Sequence, residues 1–161
     1  STGETLPGQW IGTPQVLELD FEGLSVTVVH AHPFPTGLVK PPFMQRSIEA
    51  RTAQLRVLAD FVADHPGPLL APGDFNTTAH TRAYALLTTH LVDAWREAGW
   101  GAGHTWPGTA PLRWLVRIDY VFHSPQWRAV EARVGPWDNA SDHRSVIATL
   151  VLRPDGSRER E

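Results

Sequence analysis

No cysteine occurs among the 161 residues. That excludes a disulfide framework, a thiolate zinc site and a cysteine nucleophile. No apolar run approaches the length that a membrane-spanning helix needs. Basic residues are not in excess: 14 Lys and Arg stand against 17 Asp and Glu, a formal net charge of −3. Proteins that coat long nucleic acid without specificity are usually basic. No strong basic nucleic-acid-coating surface is therefore expected, while a small phosphoester, a lipid headgroup or a locally held nucleic-acid end stays open as a ligand. Ser1 to Gly8 is polar, with neither a basic start nor an apolar stretch, so it does not read as a signal peptide. The first residue is not Met, and the chain is expected to be a processed product or a fragment. Internal repeats are absent.

Hydrophobic residues make up 42% and charged residues 19% of the chain. This is enough to build one real core and too little charge for compositional disorder. The length suits a single domain, expected over residues 1–152, with a charged, frayed tail over 153–161.

The pattern along the chain alternates between strand and helix periods. Gln15 to Glu22 alternates with period two, Glu22-Gly23 turns the chain, and Leu24 to His30 forms a more apolar second strand. Residues 31–42, with four prolines, read as loop. A helix follows, with Met44, Ile48, Leu55, Leu58 and Val62 on one face. His65-Pro66-Gly67-Pro68 ends it. Residues 69–72 form a short apolar strand running into Pro72-Gly73-Asp74-Phe75-Asn76. Residues 80–90 read as a second helix and 91–98 as a helical turn; 99–111 is a Gly/Pro-rich loop. Strands are expected at Arg117 to Phe122, Ala129 to Val134 and Ser145 to Leu152. Two helices among five or six strands indicate an α/β fold with a mixed sheet and flanking helices.

Four segments carry chemistry. Gly73-Asp74-Phe75-Asn76 leaves a buried strand through a turn that glycine permits, presenting a carboxylate and an amide. The Asp suits a general base towards water, and the Asn can hold a phosphate oxygen or a metal without adding charge. A plain Asx turn accounts for the same residues equally well. Ser141-Asp142-His143 precedes the last strand, where one side chain can reach a metal and the other a substrate; a polar turn is the simpler reading when it is taken alone. In Arg117-Ile118-Asp119-Tyr120-Val121-Phe122, Asp119 points away from the face of Ile118 and Tyr120. A carboxylate inside an apolar strand is costly to bury without a partner. A His at a neighbouring strand end is the natural one, and an Arg ion pair the alternative. His30-Ala31-His32 sets two imidazoles at i and i+2, on one side of an extended chain, able to meet a metal or a phosphate. A structural role for His30 is the competing reading.

In order along the chain, VTVVHAH, GDFN, RIDYVF and SDHRSV resemble the endonuclease/exonuclease/phosphatase superfamily, the deoxyribonuclease I-like phosphoesterases. The likeness runs from about Gln15 to Leu152, and the joint order of GDFN, RIDY and SDH makes it specific. It implies part of a two-sheet α/β sandwich and hydrolysis of a phosphate ester with Mg²⁺ or Mn²⁺. It further implies His32 as a catalytic His, with His30 beside it where the family usually has Asn. Asp74 would orient or deprotonate water, and Asn76 would bind phosphate and help fix the metal. Asp119 would orient His143, His143 would contact the scissile phosphate, and Asp142 would ligate the metal. A hard cation with oxygen ligands suits such chemistry, and the histidines can donate to the transition state.

The sequence departs from the family in lacking its first half, which supplies an Asn and the principal metal-binding Glu. Glu4 and Glu18 lack that context. The chain is thus expected to be a C-terminal portion whose partner is the absent N-terminal segment, and to turn over poorly alone. Trp106 and Arg113, in the loop before RIDY and close to Trp100 and Trp114, are expected near the substrate, where aromatics can stack a base or simply pack over the sheet. Relatives act on DNA, RNA, phosphoinositides and sphingomyelin, and some bacterial ones stand outside the membrane behind transmembrane helices. A soluble domain, extracellular in a membrane-anchored parent, fits that pattern. Two other readings stay open: a non-catalytic binding remnant of the same fold, and an unrelated zinc hydrolase using His30 and His32.

Overall fold

A computed structural model describes residues 5–35, 41–108, 113–137 and 139–153. In chain order the elements are β1 (Gln15–Phe21), β2 (Leu24–His30), α1 (Pro41–Asp64), β3 (Leu69–Asp74), α2 (Arg82–Leu87), β4 (Val92–Asp93), α3 (Ala94–Ala98), β5 (Asp119–His123), β6 (Trp127–Val134) and β7 (Val146–Leu152). The expected tail, beyond Arg153, and Glu4 lie outside the described residues.

The first five-stranded sheet has the order β1-β2-β3-β5-β4, and β6 and β7 pair in a second sheet. The first sheet is mixed: β2 and β3 run parallel, whereas β1/β2, β3/β5 and β4/β5 are antiparallel. The hairpin closes through Glu22 and Gly23, both at positive φ (54° and 84°), the two-residue turn that matches strand twist. The parallel step from β2 to β3 requires a crossover, and α1 provides it.

One face of the first sheet is dry. Val29, Leu69, Ala71, Tyr120 and Phe122 meet Leu55, Leu58 and Val62 of α1 and Ala83, Tyr84 and Leu87 of α2. Phe75, fully buried, stands edge-on to both Tyr120 and Phe122 at 5.9 and 5.0 Å. On the alternate face lie the even residues of β2 and β3 and the odd residues of β5, and this is the face that carries the polar chemistry.

Several elements differ from the sequence reading. Pro41 and Pro42 open α1 rather than ending a loop, because the first helical positions have no use for their missing N–H groups. Met44 and Ile48 do not join the core; each is 41% exposed, since the long helix overhangs the sheet at its start. The strand expected at 69–72 runs on through Gly73 to Asp74. The second helix is shorter, Arg82–Leu87, capped by the Thr81 hydroxyl accepting from the Tyr84 N–H at 3.1 Å. The turn expected at 91–98 divides into β4 and α3 at Asp93, whose carboxylate caps α3.

Candidate active site

The register of β3 against β5 builds the site. Asp74 is the cross-strand partner of Asp119. Residues directly opposite in a sheet share a face, so two carboxylates stand side by side, away from Tyr120 and Phe122. Their side chains are only 20% and 18% exposed.

The third group arrives from the loop before β7. The Ser141 hydroxyl accepts from the His143 N–H at 3.0 Å and fixes that turn. His143 Nδ1 lies 2.9 Å from Asp119 Oδ2. A His–carboxylate pair at this distance makes Nδ1 the donor and turns Nε2 outward. Nε2 then faces Asp74 Oδ2 at 3.9 Å and Asp142 Oδ1 at 4.0 Å. The partner expected for Asp119 is therefore present, and the alternative of an Arg pair is not: Arg117 instead binds Asp93, Nη1 to Oδ1 at 3.0 Å and Nη2 to Oδ2 at 2.7 Å.

His32 enters from the end of β2, with Nε2 3.6 Å from Asp74 Oδ2. Gly73 permits this approach: a Cβ there would stand 2.5 Å from the Ala31 carbonyl oxygen. His30 shares the face of His32, as the i, i+2 spacing requires, but it is exposed and paired in register with Gln15 at the β1 side. It is outside the tight group of ligating atoms, which among the described residues comprises Asp74, Asp119 and His143.

The turn after β3 is equally determined. Asn76 sits at φ 51°, a left-handed conformation that Asn tolerates. Its N–H donates to Asp74 Oδ1 at 2.8 Å, and its side-chain Nδ2 donates to the Pro33 carbonyl at 3.0 Å. The amide thus ties the GDFN turn to the segment just past His32 and presents Oδ1 as its other end.

Electrostatics follow from this crowding. Burial pushes the Asp74 carboxyl above its usual range; the Asn76 N–H opposes this, the Asp119 charge adds to it, and both imidazoles oppose it. The hydrogen bond to Asp119 raises His143, against a smaller opposing effect of burial and with help from the charges of Asp119, Asp74 and Asp142. An acid made reluctant to ionise thus faces a base made reluctant to lose its proton.

Asp142 lies at the rim, its side chain 55% exposed. The Trp106 indole N–H donates to its Oδ2 at 3.0 Å, and the Gly108 N–H donates to its carbonyl at 2.6 Å. Trp106 also brings its ring to 6.4 Å from that of His143. Arg113 stands farther out, its guanidinium 4.8 Å over the Trp137 ring, and the Trp137 N–H donates to the Ser141 carbonyl at 2.7 Å. Arg113 thus packs on the wall that holds the 141–143 turn.

Sequence reasoning missed two contributors. Arg51 of α1 is 5% exposed, donates from Nη1 to the Phe34 carbonyl at 3.2 Å, and lies in the field of Asp74. Its place on the buried helix face, four residues before Leu55 and seven before Leu58, was the available signal. Thr105, fully buried, accepts from the N–H groups of Ile118 and Asp119 at 3.2 and 3.4 Å and fixes the start of β5. Nothing in the sequence marked it.

Three carboxylates and an amide oxygen are the donor chemistry of a hard cation. Burial, with the charge of Asp119 added to it, raises Asp74, and such a cation would favour its ionised form. Among the described residues no glutamate joins the tight group, and Asp142 lies outside it.

Comparison with known proteins agrees with the fold. UPF0294 protein VP2298 of Vibrio parahaemolyticus is 27% identical over 131 residues, covering 81% of this chain and 41% of that protein. The chain therefore spans about two fifths of the length of the curated relatives it matches. The crystal structure of an endonuclease/exonuclease/phosphatase from Beutenbergia cavernae superimposes with a TM-score of 0.71 at 28% identity, over 88% of this chain and 39% of that one. The 3' phosphatase NExo from Neisseria, bound to product DNA hairpin, shares the fold with a TM-score of 0.64 at 20% identity, over 85% of this chain and 65% of its own. Residues 10–143 match the Endonuclease/Exonuclease/phosphatase family, and the chain belongs to that family of phosphoester-cleaving hydrolases.

Proposed function

We propose that this chain carries the water-activating and phosphate-gripping part of a divalent-metal-dependent phosphoesterase. The observation that supports this most is the convergence of Asp74, His32 and the Asp119–His143 pair on one point at the sheet edge. Asp74 Oδ2 takes the proton from the attacking water; its raised pKa brings it nearer to the working pH of a general base. His143, held by Asp119 and kept protonated by it, donates from Nε2 to a phosphoryl oxygen, and His32 donates from the other side. Asn76 anchors phosphate through its side chain. His30, Trp106 and Arg113 contact the remainder of the substrate.

Asp142, Asp74 and Asn76 would hold Mg²⁺ or Mn²⁺. Such an ion supplies charge against the phosphoryl oxygens and lowers the pKa of water. The chain spans about two fifths of the curated relatives' length, and the remaining ligands are proposed to come from a further segment of the same domain, the chain's first partner. A phosphate ester is the substrate, and the DNA bound to the Neisseria phosphatase makes nucleic-acid ends the first class to try.

Hydrolysis of bis(p-nitrophenyl) phosphate and p-nitrophenyl phosphate tests this reading. The assay compares the chain alone with the chain supplemented by the preceding segment, in cis or as a separate polypeptide. The expected result is slow hydrolysis alone, restored by the segment and abolished by EDTA. Asp74→Asn and His143→Ala should each lower the restored rate roughly 10²–10⁴-fold, the range of a lost acid or base. Turnover indifferent to EDTA and to both substitutions would overturn it. Metal binding without turnover in either form would favour the non-catalytic remnant, a reading to which the missing glutamate lends weight.

A further inference from the structure

Beside the site lies a second feature that the hydrolytic reading does not use. Trp100 is 93% exposed, the most exposed large apolar side chain among the described residues. Its exposure is built into the loop that carries it. Gly99 and Gly103 flank the buried Trp95: a Cβ on Gly99 would stand 2.6 Å from the Trp95 ring, and one on Gly103 2.7 Å from its Cζ2. The Trp95 indole N–H donates to the Gly101 carbonyl at 3.2 Å, and the Gly99 N–H donates to the Trp95 carbonyl at 2.8 Å. Gly101 and Gly103 adopt positive φ, 77° and 63°. The loop is thus wrapped tightly over one tryptophan, and the residue at its tip has no way to fold back.

Trp100 borders a recess of about 490 Å³ that is open to solvent. Its other walls include Trp114, His104, Arg133 and Arg144. The Arg144 guanidinium lies 5.1 Å over the Trp114 ring, and its Nε donates to the Gly135 carbonyl at 3.0 Å, so its position is set. Arg133 is exposed and lies 3.6 Å from the exposed Glu131 carboxylate, a contact of a kind that water screens. Arg144 directly follows His143, so the recess begins one residue from the catalytic cluster.

Two tryptophan rings and two guanidinium groups lining one recess suit a ligand that alternates flat aromatic and anionic parts. We infer that the recess bounded by Trp100, Trp114, Arg133 and Arg144 is a subsite for single-stranded nucleic acid, one base stacking on Trp100 and an adjacent phosphate meeting the arginines. A base has a π-face whatever its identity, so the subsite tolerates sequence. The inference deepens the phosphoesterase reading by naming its substrate class, and rests on that reading only for the claim that the bound strand leads to the site. An anionic membrane surface is the competing occupant for an exposed Trp beside arginines, but a recess with fixed guanidinium geometry and a second ring favours a discrete ligand over a bilayer.

The test is binding, measured in EDTA so that it does not depend on turnover. The full chain is titrated into a fluorescein-labelled single-stranded oligodeoxynucleotide of about ten residues at low salt, followed by anisotropy. Trp100→Ala should weaken binding about tenfold, while leaving the melting temperature unchanged, because the ring covers nothing. An oligonucleotide of equal length with abasic positions should bind more weakly and be indifferent to Trp100→Ala. Arg133→Ala should reduce the salt dependence of binding to both oligonucleotides. Equal binding by wild type and Trp100→Ala, or no binding by wild type, would overturn the inference. So would Trp100-dependent sedimentation with phosphatidylserine/phosphatidylcholine vesicles in the absence of Trp100-dependent oligonucleotide binding. If binding behaves as expected while hydrolysis fails under the conditions above, the subsite stands and the hydrolytic reading falls.

Discussion

Two residues of the proposed catalytic cluster, His143 and Asp74, have their ionisation shifted by their surroundings. His143 is raised chiefly by its hydrogen bond to Asp119. While Asp119 is ionised, a raised folded pKa means that this pair stabilises the chain fully below the unfolded His value of about 6.5. The stabilisation is lost as pH rises through the folded value. NMR titration of the metal-free chain should place His143 above an ordinary His, and Asp119→Asn should bring it down. If the two titrate alike, the pair does not hold a proton. Asp74 runs the other way: a raised carboxyl costs stability once pH exceeds its unfolded value of about 3.9. Asp74→Asn should therefore raise the melting temperature of the metal-free chain at neutral pH, although it lowers the restored rate of hydrolysis. A lower melting temperature would mean that its bond with the Asn76 N–H outweighs burial.

Elements hold these residues by contacts the side chains of the site do not make. Gly73 lets the end of β2 pass within contact of β3. Gly73→Ala should cost about 1–3 kcal/mol, as overpacking does, and displace His32 from Asp74. Denaturant unfolding measures the first, and a crystal structure of the variant the second. Unchanged stability would show that the Ala31 backbone yields freely. At the far side of β5, the bidentate Arg117–Asp93 pair is buried, with side chains 8% and 1% exposed. The Tyr84 hydroxyl donates to Asp93 at 2.9 Å. Arg117→Ala leaves that carboxylate unpaired and should cost about 3–5 kcal/mol. A loss under about 1 kcal/mol would mean that water replaces the pair. Thr105 and the carbonyl of Ile118, which accepts from the Phe75 N–H at 2.9 Å, bind the loops before β5 and after β3 to each other. The two aspartates therefore cannot drift apart separately.

At the scale of the molecule, one layer is complete and the other is thin. Helices cover one face of the five-stranded sheet, whereas the opposing sheet has two strands. Phe21 meets Trp127 edge-on at 5.9 Å, yet Leu19 and Phe21 stay half exposed, and Val130, Ile147 and Val151 remain 38–45% exposed. Apolar surface of this extent invites association. Sedimentation velocity should show concentration-dependent self-association of the chain alone, relieved by the preceding segment. A monomer at all concentrations would indicate that these side chains are tolerated singly. Mg²⁺ or Mn²⁺ should bind the chain alone weakly, because Asp142 stands apart from the Asp74–Asp119 pair and no glutamate joins that pair among the described residues. Tight stoichiometric binding in calorimetry would contradict this. Among the described residues, no helix is long and apolar enough to cross a membrane.

Local chemistry was legible without coordinates wherever one stretch of chain sufficed. Period-two alternation placed β1, β2 and the facing of Asp119; Glu22-Gly23 gave the turn; and His65-Pro66-Gly67-Pro68 stopped α1. The four motifs were recognisable because hydrolytic chemistry restricts residue type at a few positions. Register, depth and partner choice were not legible, because they depend on segments tens of residues apart. Periodicity put Met44 and Ile48 on the apolar face of α1, but only the extent of the sheet leaves them in solvent. Spacing made His30 and His32 equals, and the close pass of Ala31 over Gly73 brings only His32 to Asp74. Asp93 looked like any polar residue in a turn until β4 paired with β5 and buried it against Arg117. The sequence by itself determined which groups could do the chemistry, since identity and period are local properties. Tertiary structure alone decided which of them meet, since burial and hydrogen bonding are properties of packed pairs.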